Sequence, residues 1–213
     1  MPPGESAPEK TAPEPLRLVQ RFVNSVDLEN DQDELTSPQA LRDWLAERDL
    51  MEPGERVTTA DLMRAVDVRE GLRALLLANA GLPLDAEQVE RLDAAVGRAG
   101  MRMRFRAGAE PELVPEAKGA DGALARLMAI VAAAVEQGTW ARLKACHRDP
   151  CFWAFYDHSK NRSGRWCRME DCGNIEKARA FRERRRSDTS RGLTPRGPKQ
   201  PARPAAQGRE SAR

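Results

Sequence analysis

The chain has 213 residues, 40% of them apolar and 32% charged, enough for one medium domain and a small one. No stretch approaches the roughly 20 apolar residues of a membrane span. The Pro- and Glu-rich start, Met1 to Pro15, lacks the apolar centre of a secretory signal, so a cytoplasmic protein with no membrane partner is expected. The net charge of +2 conceals an asymmetry. Residues 141–186 carry 13 Lys/Arg against 6 Asp/Glu and residues 187–213 carry 6 against 2, which leaves the first 140 residues at −9. An acidic body with a basic end points to a polyanionic partner for that end, most often nucleic acid.

Residues 1–15 read as a disordered leader. Leu16, Val19, Phe22, Val23 and Val26 recur at helical spacing and predict a first helix. The acidic run Asp27 to Thr36 reads as a loop. Ser37-Pro38 is a helix start, Ser as cap and Pro in the first turn, with Leu41, Trp44 and Leu45 facing inward. After the break at Pro53-Gly54, Thr59 caps a longer helix with the stripe Ala65, Val68, Leu72, Leu75 and Leu76, ended by Gly81 and Pro83. Asp85 with Gln88 has the form of a capping box ahead of Val89, Leu92 and Val96. Met101 to Arg106 alternates Met and Phe with Arg. Ala107-Gly108 then gives a turn, and Glu112 to Val114 a return strand. Asp121 opens the clearest helix, with Leu124, Leu127, Met128, Val131 and Val135 inward. The fold class is thus mainly α: a helical domain over 16–138 with a small β-ribbon, then a compact module over 139–186, then a disordered basic tail over 187–213.

The module is compositionally distinct. Seven of the ten aromatic residues fall between Trp140 and Phe181, and a segment this short commonly relies on a metal in place of a large core. All four cysteines lie here, as Cys146-x4-Cys151-x15-Cys167-x4-Cys172. Two equal pairs across a loop is the layout of a tetrahedral thiolate zinc site. Four protein ligands close it, so a single structural Zn2+ is expected, with buried thiols or a redox dithiol as the lesser readings. Arg142, Lys144, Arg148, Arg165 and Arg168 would lower the thiol pKa values, and the helix dipole behind Cys172 would favour its thiolate. His147 and His158 read as turn residues, His147 being the closer to a ligand. The element order is a turn with two ligands, an aromatic strand Phe152 to Asp157, a return strand from Arg165-Trp166, and a helix Ile175 to Arg186. That order is treble-clef-like.

Arg142-Leu143-Lys144, the run Phe152 to Tyr156, Trp166-Cys167 and Cys172-Gly173-Asn174 resemble the CGNR zinc finger. Phe22-Val23-Asn24-Ser25-Val26-Asp27 and Arg42-Asp43-Trp44-Leu45 are similar to the opening of the ABATE domain that precedes this finger in bacterial proteins described as stress-induced transcription regulators. The resemblance implies zinc binding and DNA binding. One departure stands out: the final Arg of the signature is replaced by Ile175.

On a helical wheel with Ile175 at 0°, Ala178 and Phe181 complete an apolar face from about 240° to 0°. Arg179, Arg182 and Arg186 line one edge of it, and Lys177 and Arg184 form a second flank. Together with Arg162 and Arg165 of the preceding turn these are the candidate contacts to double-stranded DNA. The bland reading is a solvated face of Glu–Arg pairs. The helical domain would form a homodimer or sense a small ligand, which no residue pattern names. A zinc-stabilised protein–protein interaction module is the alternative function. No nucleophile motif, phosphate loop or His/carboxylate cluster marks an enzyme.

Overall fold

The computed structural model describes residues 10–105 and 111–190, with backbone only for 188–190. The first part of the leader, the ribbon turn at Ala107-Gly108 and the tail beyond Ser190 lie outside the described residues. The chain divides into two units, 1–175 and 176–213.

Among the described residues there are six α-helices: α1 (Leu16–Val23), α2 (Pro38–Ala46), α3 (Thr59–Asn79), α4 (Ala86–Val96), α5 (Gly119–Glu136) and α6 (Asn174–Ser190). Three antiparallel strand pairs join them: β1 (Val26–Asp27) with β2 (Gln32–Asp33), β3 (Met101–Phe105) with β4 (Pro111–Pro115), and β5 (Leu143–Ala145) with β6 (Ala154–Tyr156). The architecture is mainly α with small β pieces, as the sequence indicates.

Apolar periodicity accounts for the core. Leu16, Val19, Phe22 and Val23 of α1, Leu41, Trp44 and Leu45 of α2, Ala65, Val68, Leu72 and Leu76 of α3, and Leu124, Leu127 and Val131 of α5 are buried in one cluster. Phe22 meets Trp44 edge to face at 5.4 Å between centroids. Gly71 lets α3 and α4 close: a Cβ there would stand 2.5 Å from the Leu92 Cβ and 2.9 Å from the Gln88 carbonyl. Caps set the helix starts. The Ser37 side chain accepts from Ala40 N and that of Asp85 from Gln88 N.

Several local expectations are corrected. The α3 cap is Thr58, not Thr59. Its Oγ1 accepts from Asp61 N while the Asp61 carboxylate accepts from Thr58 N, and only a cap three residues before the acid closes that box. Helix α5 begins at Gly119, ahead of Asp121, whose carboxylate instead accepts from Arg64 Nε at 3.0 Å. Val135 is 56% exposed, because it points to the side of α5 away from buried Ala134. The acidic run 27–36 is a tight β1–β2 hairpin. Arg69, 4% exposed, holds it by a bidentate pair to Asp33 at 2.7 and 2.8 Å. Residues 10–15, read as leader, are built into the fold. Lys10 O accepts from Tyr156 N at 2.7 Å, Ala12 N donates to Gln20 Oε1 at 2.7 Å, and Ala12 is buried. A Pro-rich segment cannot form helix, but its backbone can still pair with a strand edge.

The core does not stop at residue 138. Leu143, Ala145, Ala154 and Tyr156 of β5 and β6 belong to the same buried cluster as the helices.

Candidate metal centre

Strands β5 and β6 form a hairpin whose connection carries the first cysteine pair. Cys146 follows β5 directly, and its N–H donates to Trp153 O at 3.0 Å. Cys151 stands two residues before Trp153. The expected return strand from Arg165-Trp166 does not form. β6 pairs upstream with β5 instead, Lys144 opposite Phe155, and residues 157–168 run as a loop in which Arg165 O accepts from His147 N at 2.9 Å. The aromatic strand finds its partner before the first cysteine because Leu143 and Ala145 supply a buried apolar edge. Cys167 ends the loop. Cys172 lies in a wide helical turn, Met169–Gly173, that runs straight into α6.

The four sulfurs converge. All Sγ atoms lie within 4.8 Å of one another, and Cys146, Cys151 and Cys172 are buried. Cys151 and Cys167 Sγ are 3.7 Å apart, Cys167 and Cys172 3.5 Å. A tetrahedral zinc with bonds of about 2.3 Å needs sulfurs about 3.8 Å apart. The donor set and spacing therefore fit such an ion. Neither histidine joins them: His147 Nε2 lies 2.8 Å from Ala80 O, and His158 Nε2 2.9 Å from Thr11 O.

The electrostatics point the same way. Hydrogen bonds from Cys151 and Cys167 pull the Cys146 thiol down to about 4, while the hydrogen bonds of Cys167 with Cys146 and Cys151, and then burial, push the Cys167 thiol strongly up. Thiolates packed this closely cannot all ionise without a cation among them. Of the five basic residues expected around the pairs, Arg148 alone has a hydrogen bond to a thiol. Its Nε donates to Cys172 Sγ at 3.0 Å, and its Nη2 pairs with Glu29 of the β1–β2 hairpin. The Cys172 sulfur, then Glu29, raise the Arg148 guanidinium further above its ordinary value. Lys144 is turned away to a buried ion pair with Asp157 at 2.8 Å. Arg142 donates to the carbonyls of Asp157 and Ser159, and Arg168 pairs with Asp171.

Polar residues of the body hold the hairpin in place. Asn24 pairs with both backbone groups of Ala154, accepting from its N–H at 2.7 Å and donating to its carbonyl at 2.9 Å, and Gln20 adds a third bond at 3.1 Å. Arg73 donates to Val23 O and Phe152 O, and Asn79 to Trp140 O and Leu143 O. Sequence reasoning missed these anchors. Asn24 lies within the Phe22 to Asp27 motif and was the one signal available.

The candidate DNA contacts lie at the surface. Arg162, at φ 51°, and Arg165 are exposed on the 157–168 loop. On α6, Lys177, Arg179, Arg182, Arg184 and Arg186 are all exposed. Arg179 pairs with Glu176 at 3.9 Å and Glu183 at 3.3 Å, and Arg182 Nε donates to Ala178 O. The apolar face of the helix is open: Ile175 is 47% and Phe181 54% exposed. Four apolar residues, two of them alanine, in a 17-residue helix of otherwise charged and polar character are too few to anchor it in a core.

A helical body fused to a four-cysteine cluster at the root of a basic helix defines a zinc-finger protein. Residues 142–185 match the family model of the CGNR zinc finger, and residues 16–138 match that of ABATE, described as "Putative stress-induced transcription regulator". The chain belongs to the ABATE family and carries a CGNR finger behind that domain. No curated protein matches it. No helix among the described residues is long and apolar enough to cross a membrane.

Proposed function

We propose that the protein holds one structural zinc ion on Cys146, Cys151, Cys167 and Cys172 and acts in the cytoplasm as a transcription regulator that grips double-stranded DNA. The observation that carries this reading is the convergence of four sulfurs immediately before a helix whose five predicted cationic contacts are all exposed. The zinc would fix the hairpin, the loop and the root of α6. Its four thiolate ligands leave no position for water, so the reading includes no catalytic step. Arg179, Arg182 and Arg186 on one flank, with Lys177 and Arg184 on the other, would neutralise phosphates. Arg162 and Arg165 would add contacts from their loop.

Duplex binding by the zinc-loaded protein tests the proposal. Affinity should fall steeply with salt and weaken in Arg179→Ala and Arg182→Ala. Binding absent at low salt, or indifferent to both substitutions, refutes it. The pairing of Arg179 with Glu176 and Glu183 supports a second reading, a zinc-stabilised protein interaction module. A partner retained after nuclease treatment, with no DNA retardation, would favour that reading.

A further inference from the structure

Helix α5 is apolar on every side over nine consecutive residues, Leu127 to Val135. A helix of that kind needs cover all round. The core covers one side of it, through Leu124, Leu127, Val131 and Ala134. The opposite side is the floor of an open groove of about 670 Å³, where Ala129, Ile130, Ala132 and Ala133 lie between strand β4 and the Asp49-Leu50 turn. The β-ribbon beside it is also two-faced. Its register puts Met101, Met103, Phe105, Pro111, Leu113 and Pro115 on one face. Met103 is 61%, Phe105 65% and Leu113 45% exposed.

The occupant is indicated by the charges that bound the groove floor. Arg126 and Glu136 stand ten residues apart at the two ends of the apolar run, within about 80° of each other around the helix, with Ala129 and Ala133 between them. A two-fold axis sets a surface against itself. If α5 lies antiparallel to its copy, each Arg126 faces the other's Glu136 and the alanines meet at the centre, where small side chains permit close approach. The Met103, Phe105 and Leu113 side chains of each ribbon then close over the partner's helix. Arg126 already donates to the carbonyls of Asp49 and Leu50, which fixes its guanidinium at the rim.

We propose that this groove is a homodimer interface in which α5 pairs antiparallel with α5 of a second copy. The inference stands apart from DNA binding.

Sedimentation equilibrium of the full zinc-loaded chain tests it. The expected mass is twice the 23.7 kDa of one chain. Ala132→Glu on the groove floor and Phe105→Glu on the ribbon alter side chains that are exposed in the single chain, so both should keep the thermal midpoint of a folded protomer and shift the mass to one chain. Glu136→Arg should weaken the dimer, and the double variant Arg126→Glu/Glu136→Arg should restore it. A monomer at all concentrations overturns the proposal, as does a dimer indifferent to Ala132→Glu and Phe105→Glu. Failure of the double variant to restore dimerisation overturns the antiparallel pairing. Duplex binding measured on the same samples keeps this outcome separate from that of the finger.

Discussion

Lys144→Met removes one charge from a pair that is almost wholly out of water. The Lys144 and Asp157 side chains are 5% and 4% exposed, with Nζ and Oδ2 2.8 Å apart. Asp157 also accepts from Ser159 N at 3.0 Å and Gly164 N at 2.7 Å, while Lys144 Nζ also donates to the carbonyls of Arg162 and Gly164. The methionine keeps the stem but leaves a buried carboxylate without its cation and two loop carbonyls without a donor. Breaking a buried pair in this way costs about 3–5 kcal/mol. For a chain of this size that corresponds to a fall of roughly 6–20 °C in Tm, at 2–4 °C for each kcal/mol. Urea unfolding followed by far-ultraviolet circular dichroism measures it. The double variant Lys144→Met/Asp157→Leu supplies the cycle: removing both charges should cost much less than the sum of the single changes. Because the pair pins the loop that bears Arg162 and Arg165, Lys144→Met should also reduce duplex affinity while Arg179 and Arg182 are intact. A Lys144→Met protein within about 1 kcal/mol of the parent would refute the reasoning, since it would place the pair among surface bridges.

Two further outcomes are expected. Arg148→Met should lower zinc affinity roughly 10- to 100-fold in a chelator competition, as loss of a partner to a metal ligand does, because Cys172 Sγ loses its donor; an unchanged affinity would show that the contact is incidental. Burial would raise the Asp157 carboxyl, but the Lys144 ammonium and the Ser159 and Gly164 N–H groups outweigh it and hold the group well below the usual carboxylate range. Its folded value being depressed, the stability it contributes is present above about pH 4 and is lost as pH falls through the folded value. The stability difference between the parent and Asp157→Asn should therefore narrow below about pH 4, and a difference that widened there would contradict the assignment.

Much of this was legible from residue order. Ser37 and Asp85 announced their helices because a cap acts within three residues of itself. Met101 to Phe105 announced a strand because alternation has no other regular reading. The cysteine pairs announced their own convergence. Sequence failed where the cause was distant. Gln20, Asn24, Arg73 and Asn79 carry no local signal, yet these bonds reach 50 to 134 positions away in sequence. The aromatic strand was matched to the wrong neighbour because β-propensity says that a segment is extended, not what it lies beside. Residues 10–15 were lost within a leader whose average composition concealed their role.

The double bond between Asn24 and Ala154 bears on how the finger can be handled. Many zinc modules are cassettes, cut and joined at will. This hairpin is not one. Excised at residue 139, it would leave both backbone groups of Ala154 without Asn24 and expose Leu143, Ala145 and Tyr156, all of which are covered by helices earlier in the chain. A finger transplanted without α1 and the strand-like segment at Lys10 should be insoluble or slow to take up metal. The shortest portable piece of this protein is nearly all of it.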